Sequence, residues 1–109
     1  MSIFNTISSQ ERVDFTKSLA IMLVSGITIN DALGNLAEQS DSPSMAKVIG
    51  RVQKDVENGT SLSQSFGKEK KVFGDIFVSL IKAGEESGTL QGNLQFLLLT
   101  NKSSTRLIF

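Results

Sequence analysis

The chain has 109 residues, 39% of them hydrophobic, which is enough for one domain with its own core. Its 11 basic residues equal its 11 acidic residues, so no basic excess indicates a nucleic-acid partner. Cysteine and histidine are absent, which excludes disulfides, thiolate metal sites and the commonest general base. Catalysis would have to depend on carboxylates, lysine or a bound cofactor. We expect a protein that is not an enzyme, with no cofactor and no metal site.

Apolar residues recur with helical spacing along nearly all of the chain, and no stretch alternates cleanly as a strand does. The capping-box sequence Ser8–Glu11 predicts the start of a first helix that ends at Gly26. Thr28 is expected to cap the second helix. The pair Ser42-Pro43 then opens a third helix, which Asn58-Gly59 stops.

The second half of the chain contains three more helix starts. A second capping box, 61–64, opens a short helix, and the charged link 68–71 leads to a fifth. The link is interpreted as a solvated loop, with contact to anionic lipid or an acidic partner as the alternative. Gly88 is predicted to end the fifth helix and Thr89 to cap the sixth. The apolar residues expected in the buried stripes of these two helices are Phe73, Ile76, Phe77, Leu80, Ile81, Leu90, Leu94, Leu97 and Leu98.

The turns between these helices are very short, which predicts an all-α fold of antiparallel helices. Three glycines, Gly34, Gly50 and Gly92, fall inside predicted helices, where each costs about 1 kcal/mol relative to alanine. Close approach of neighbouring helices is the structural explanation. Gly50 lies on a different face of its helix from Ile49 and Val52, so it is also a candidate for an external contact.

The sequence KAGEESGTL, residues 82–90, places two adjacent carboxylates between two glycines. Neighbouring residues of a helix point about 100° apart, so Glu85 and Glu86 do not converge as a catalytic pair would. Acids in the last turn also oppose the helix dipole, at roughly a few tenths of a kcal/mol each. This cost suggests an offsetting contact with a basic side chain of the fold, a neighbouring subunit or a cation. We predict a structural corner that also presents a polar surface, with three candidate partner-binding residues, Lys82, Glu85 and Glu86.

Three blocks of the chain resemble a known family. They are FTKSLAIMLVSGITINDAL at 15–33, VIGRVQKDVENGTSLSQSF at 48–66 and VFGDIFVSLIKAGEESGTLQGNL at 72–94. The family is the cytoplasmic F domain of inner-membrane platform proteins from type II secretion systems and type IV pili. The last block carries the hallmark Ala-Gly-Glu-x-Ser-Gly-x-Leu, which is matched by Ala83, Gly84, Glu85, Ser87, Gly88 and Leu90.

The resemblance implies a six-helix antiparallel bundle with a non-enzymatic role. Family members sit in the cytoplasmic membrane and are thought to couple an assembly ATPase to the extraction and polymerisation of pilin subunits. The implied partners are that ATPase, other platform subunits and a second copy in a homodimer, and nucleic acid is not among them. The residues assigned to the structural motif are Gly26, Gly59, Gly84, Gly88, Thr89 and Leu90.

The resemblance also implies a division of the chain. Residues 1–10 are expected to form a lead-in, 11–101 the F-type domain, and 102–109 a tail toward a membrane helix. The parent protein would then be integral to the bacterial inner membrane, with this part on the cytoplasmic face. Gly74 follows Phe73 where many relatives have proline, which leaves the entry to the fifth helix open. A free-standing soluble adaptor that binds a partner helix is the alternative function.

Overall fold

The computed structural model describes residues 7–90 and 92–94, and every regular element in that part of the chain is a helix. The helices are α1 (Ser9–Val24), α2 (Ile29–Gln39), α3 (Pro43–Glu57), α4 (Leu62–Gly67), α5 (Lys70–Phe73) and α6 (Asp75–Ser87). Helical conformation resumes at Leu90 and at 92–94. In the described part, no helix is both long enough and apolar enough to cross a bilayer. The predicted all-α class is confirmed for these residues, while the predicted tail 102–109 lies outside them.

Side-chain caps start four of these helices where the sequence predicts them. At α1 the Ser8 Oγ accepts the Glu11 N–H at 3.1 Å, and the Glu11 Oε1 accepts the Ser8 N–H at 3.1 Å, which completes the predicted capping box. Thr28 caps α2, Ser42 caps α3 and Ser61 caps α4, each accepting the N–H three residues further on. These bonds fix the residue at which each helix begins.

The predicted fifth helix is interrupted at Gly74, so the described residues contain seven helical segments rather than six. Gly74 has φ +92° and ψ 159°, a left-handed φ that favours glycine and cannot continue an α-helix. Its N–H donates to the Lys70 C=O at 2.7 Å, and its C=O accepts the Val78 N–H at 3.3 Å. The first bond closes α5 and the second opens α6. The charged link 68–71 is accordingly not a loop throughout, because Lys70 and Lys71 begin α5.

Four helices each contribute one phenylalanine ring to the core. Phe66 of α4 is fully buried, and its ring centroid lies 6.1 Å from that of Phe15, 5.0 Å from that of Phe73 and 5.1 Å from that of Phe77. Around the core, α2 packs on α3 and α4 packs on α6. The other buried apolar residues are Ile7, Leu19, Ala20, Ala32, Leu33, Leu36, Met45, Val48, Ile49, Val52, Leu62, Ile81 and Leu94. The contact of α4 with α6 positions the corner described below.

Ile76 departs from the predicted buried stripe of α6, since 71% of the residue is exposed. Phe77 and Ile81 are the residues of this helix that enter the core. Ile76 lies about 100° round the helix from Phe77, and the prediction that it is buried is wrong. Leu97 and Leu98, predicted for the buried stripe of the last helix, lie outside the described residues.

Candidate functional site at the end of α6

The segment 82–90 forms a tight corner in which the chain turns back over the last turn of α6. Gly88 follows the helix with φ +77°, in the left-handed region that favours glycine. The Gly88 N–H and the Thr89 N–H both donate to the Gly84 C=O, at 2.8 and 3.1 Å. A Cβ on Gly84 would lie 2.7 Å from the Leu90 Cα, closer than real side chains come. Gly84 is therefore the point at which the returning chain crosses the helix.

Polar side chains fasten this corner. The Ser87 Oγ donates to the Ala83 C=O at 2.8 Å and hydrogen-bonds the Thr89 Oγ1 at 2.7 Å. The Asn93 Nδ2 donates to the Leu80 C=O at 2.9 Å, which ties the segment after the corner to α6. The sequence patterns did not point to Asn93, because its partner is a main-chain carbonyl in the middle of another helix. The corner is thus held by side-chain bonds as well as by the backbone.

Glu85 reaches from the last turn of α6 to the first turn of α4. Its Oε2 accepts the Leu62 N–H at 2.7 Å. Leu62 is the first residue of α4, and its amide has no acceptor inside its own helix. The negative charge therefore lies at the positive end of the α4 dipole, which offsets its unfavourable position at the end of α6. The offsetting contact expected from the sequence is a backbone amide and not a lysine or an arginine.

The sequence carries a signal that could have led to this contact. The capping-box pattern 61–64 predicts the bond in which the Ser61 Oγ accepts the Gln64 N–H, and this bond is present at 3.1 Å. The pattern provides no acceptor for the amide of Leu62. The first amides of every helix lack an acceptor within the helix, so this amide needs one from elsewhere in the fold. A search for a distant carboxylate that could serve this amide would have included Glu85.

Lys82 and Glu86 belong to the same segment but are exposed and take no part in these bonds. Within residues 7–90 and 92–94, neither side chain forms an ion pair within 4.0 Å. The adjacent carboxylates therefore have different surroundings: Glu85 is bound by α4, and Glu86 is open to the surface. The described residues also contain no group of three acidic side chains placed to hold a metal ion.

The other residues assigned to the motif lie elsewhere in the fold. Gly26 and Gly59 occupy the turns after α1 and α3, with φ of +93° and +97°. A cavity of about 360 Å³ lies between α1, α2 and α3, and another of about 430 Å³ is lined by α2, α3 and Ile27, and neither is lined by a residue of 82–90. The corner is a surface feature, which suits contact with a protein better than enclosure of a small molecule.

The chain is similar in sequence to known proteins of one family. Residues 15–98 match the family model described as type II secretion system (T2SS), protein F. The chain is 32% identical over 91 residues to the type IV pilus assembly protein PilC of Pseudomonas aeruginosa, covering 84% of the chain and 24% of that protein. It is 35% identical over 91 residues to the type II secretion system protein F of Vibrio cholerae, covering 84% of the chain and 22% of that protein. It is 37% identical over 76 residues to PilC of Thermus thermophilus, covering 70% of the chain and 18% of that protein.

The chain thus spans 24% or less of the length of these three relatives. The matched region includes all of α2 to α6 and the whole corner 82–90. It therefore contains the bond from Glu85 to α4 and the crossing at Gly84. The chain belongs to the type II secretion system protein F family.

Proposed function

We propose that this chain is a scaffold domain on the cytoplasmic face of a platform protein of the bacterial inner membrane. Its role is to couple an assembly ATPase to the assembly of pilins or pseudopilins, and it performs no catalysis itself. Family membership and the relatives, named as pilus assembly and secretion proteins, support this proposal. We take the domain as an antiparallel bundle in which α5 and α6 together occupy the place of one helix.

The observation that carries the proposal is the corner 82–90. Gly84 and Glu85 lock this segment to the rest of the fold, while Lys82 and Glu86 remain exposed on it. A segment whose backbone is already fixed loses little backbone conformational entropy when it binds a protein. We assign this surface, Lys82 and Glu86 on the corner, to docking of the ATPase or of another platform subunit.

Isothermal titration of the chain with the assembly ATPase of its own system tests the assignment. The variant exchanges the two free charges, Lys82→Glu with Glu86→Lys, so that net charge is unchanged. Glu85 is left intact because its carboxylate supports α4. We expect the exchange to weaken binding at least about tenfold. Each exchanged side chain would then face a partner charge of its own sign. Circular dichroism and thermal unfolding check that the variant is folded.

The matched control makes the same exchange at two exposed positions outside the corner, Lys17→Glu with Glu38→Lys. This variant should bind as the wild type does. An equal loss in both variants would assign the effect to general electrostatics and remove the corner from consideration. A wild-type chain that does not bind the ATPase would overturn the proposed coupling through this domain.

Self-association is the second part of the proposal. Ile21 and Val24 lie three residues apart on one side of α1, and they are 56% and 58% exposed. Exposed apolar neighbours of this kind are common at the self-complementary interfaces of dimers. Sedimentation equilibrium should show a dimer that Ile21→Ser with Val24→Ser dissociates and that Ile76→Ser, the matched control, leaves intact. A monomeric wild type would contradict the proposed self-association and leave the proposed docking at the corner unaffected.

The free-standing adaptor is the competing function. The parent reading frame separates the two, because a hydrophobic segment of about 20 residues soon after Phe109 would belong to a membrane platform. A reading frame without such a segment would favour the adaptor.

A further inference from the structure

The formal charge of the chain is zero, yet the charges are segregated along it. The segment 29–43, which includes α2, carries three acidic residues and no basic one: Asp31, Glu38 and Asp41. The segment 44–72, which includes α4 and all of α3 except its first residue, carries six basic residues against three acidic ones. A neutral protein with this distribution has a local basic surface without any general attraction to anions.

The outward face of α3 is basic along its length. Lys47, Arg51 and Lys54 follow the spacing i, i+4 and i+7, which places them on one side of the helix. All three are exposed, and the buried residues of α3 occupy the opposite side. Gly50 lies among them, and a Cβ there would have no heavy atom within 4 Å. No part of the described chain covers this surface around Gly50.

Two ion pairs join the segment after α4 to the same face. The Arg51 guanidinium donates to both carboxylate oxygens of Glu69, at 2.8 and 2.9 Å. The Lys68 Nζ lies 3.0 Å from the Asp55 Oδ2. The hydrogen bond to Glu69 raises the pKa of Arg51, whose guanidinium is charged at ordinary pH in any case. These pairs hold the start of α5, with its exposed Lys70, beside α3.

Four lysines remain on this surface after the two acids are paired. Among the residues that the structure describes, Lys47, Lys54, Lys70 and Lys71 form no ion pair within 4.0 Å. The full surface, which we call the α3–α5 basic face, consists of Lys47, Arg51, Lys54, Lys68, Lys70 and Lys71. The cavities of about 360 and 430 Å³ are lined by other residues, so neither opens onto this face.

We propose that the α3–α5 basic face docks on an anionic phospholipid surface. Clusters of four to eight basic residues are the pattern that binds acidic lipids, each contributing roughly 1 kcal/mol near the surface. Unpaired lysines are point charges on flexible side chains. They can follow lipid headgroups that have no fixed positions, whereas a protein carboxylate is held in one geometry. Gly50 adds no side chain of its own beside Lys47, Arg51 and Lys54. This inference is independent of where the ATPase binds.

Co-sedimentation with vesicles tests the proposal on the whole chain. The probes are vesicles of phosphatidylcholine mixed with phosphatidylglycerol, and vesicles of phosphatidylcholine alone. We expect binding to the first kind, weakening as salt is added, and none to the second. Inorganic phosphate at the same total anion concentration should not compete, because isolated anions lack the multivalent surface. Competition by phosphate at that concentration would indicate a single-anion site and overturn the proposal.

Matched lysine variants localise the binding. Lys47→Gln with Lys54→Gln should lower the partition coefficient on the order of tenfold or more, given the contribution of each lysine. The control, Lys17→Glu, lowers the net charge by the same two units at an exposed position of α1 and should change the partition coefficient less than about twofold. Arg51 and Lys68 are left unchanged because they hold α5 in place.

Three further results would overturn the proposal. One is failure of the wild type to bind acidic vesicles at low salt. Another is an equal loss of binding in the two variants, which would show that only net charge matters. The third is binding of the wild type to polyaspartate through Lys47 and Lys54 without binding to vesicles. This result would assign the face to an acidic protein.

Discussion

Two glycines inside helices have opposite surroundings. At Gly84 in α6, an added Cβ would lie 2.7 Å from the Leu90 Cα and 3.1 Å from its N. At Gly50 in α3, an added Cβ would have no heavy atom of residues 7–90 and 92–94 within 4 Å. Each glycine forgoes about 1 kcal/mol of helix stability relative to alanine. Only at Gly84 does the fold of this chain explain that cost.

The comparison separates residues that the fold requires from residues that it does not. The corner after α6 is closed by bonds within the chain, so a substitution there should act through stability. The described residues leave the outer face of α3 uncovered, so a substitution there should act through helix preference or through contact with another molecule. The predictions below use this difference, beginning with the corner, where the effect on stability is largest.

Gly84→Ala should destabilise the protein by about 2 kcal/mol. Overpacking costs about 1–3 kcal/mol, and a clash with backbone atoms belongs at the upper end because the backbone cannot rotate away as a side chain can. Alanine is favoured over glycine in a helix by about 1 kcal/mol, which offsets part of the cost of the clash. Urea unfolding followed by circular dichroism measures the difference. A variant as stable as the wild type would mean that the chain does not cross α6 at this residue.

Glu85→Ala should lower the free energy of unfolding by about 1 kcal/mol. The change removes the carboxylate that accepts the Leu62 N–H and leaves the start of α4 with one bond fewer. Glu86→Ala is the matched control, because the Glu86 carboxylate forms no hydrogen bond or ion pair in the described part of the chain. This substitution should change the free energy of unfolding by less than about 0.5 kcal/mol. The same urea measurement compares them. Equal effects of the two substitutions would contradict the different roles assigned to the two acids.

Local signals in the sequence were sufficient to place most helix starts. The caps at Ser8, Thr28, Ser42 and Ser61 each depend on a hydroxyl and an amide three residues apart, so no knowledge of the tertiary fold is needed. The stop at Gly88 was similarly visible, because glycine is the usual residue in the left-handed conformation after a helix. The all-helical class follows from such signals alone.

The features that the sequence analysis missed are set by tertiary packing. Leu62 and Glu85 are 23 residues apart, and only the packing of α4 on α6 brings them together. Gly74 could either continue a helix or break it, and in the fold it breaks the helix while Phe73 and Phe77 still meet in the same aromatic cluster, with their ring centroids 5.0 Å apart. That arrangement fixes the rotation of α6 and leaves Ile76 exposed. Apolar spacing alone does not determine such a rotation.

Gly50→Ala should stabilise the protein by about 0.5–1 kcal/mol, the smallest of the three effects. The methyl group has no heavy atom of the described residues within 4 Å, so only the helix preference for alanine remains. Gly34→Ala is the matched comparison, because its Cβ would lie 2.9 Å from the Nε2 of Gln53, the end of a flexible side chain that has to move. Its gain should be smaller than that of Gly50→Ala. Urea unfolding of the two variants gives the order.

The same Gly50→Ala variant also distinguishes the kinds of partner that the α3–α5 basic face could bind. A lipid surface is soft and is attracted by charge, so one added methyl should leave the vesicle partition coefficient unchanged within about twofold. A protein helix packed closely against Gly50 would be displaced by that methyl, and binding would weaken although the domain is more stable. A stabilised variant with unchanged vesicle binding supports the lipid surface. A stabilised variant that loses binding would mean that the open glycine serves close packing against a protein.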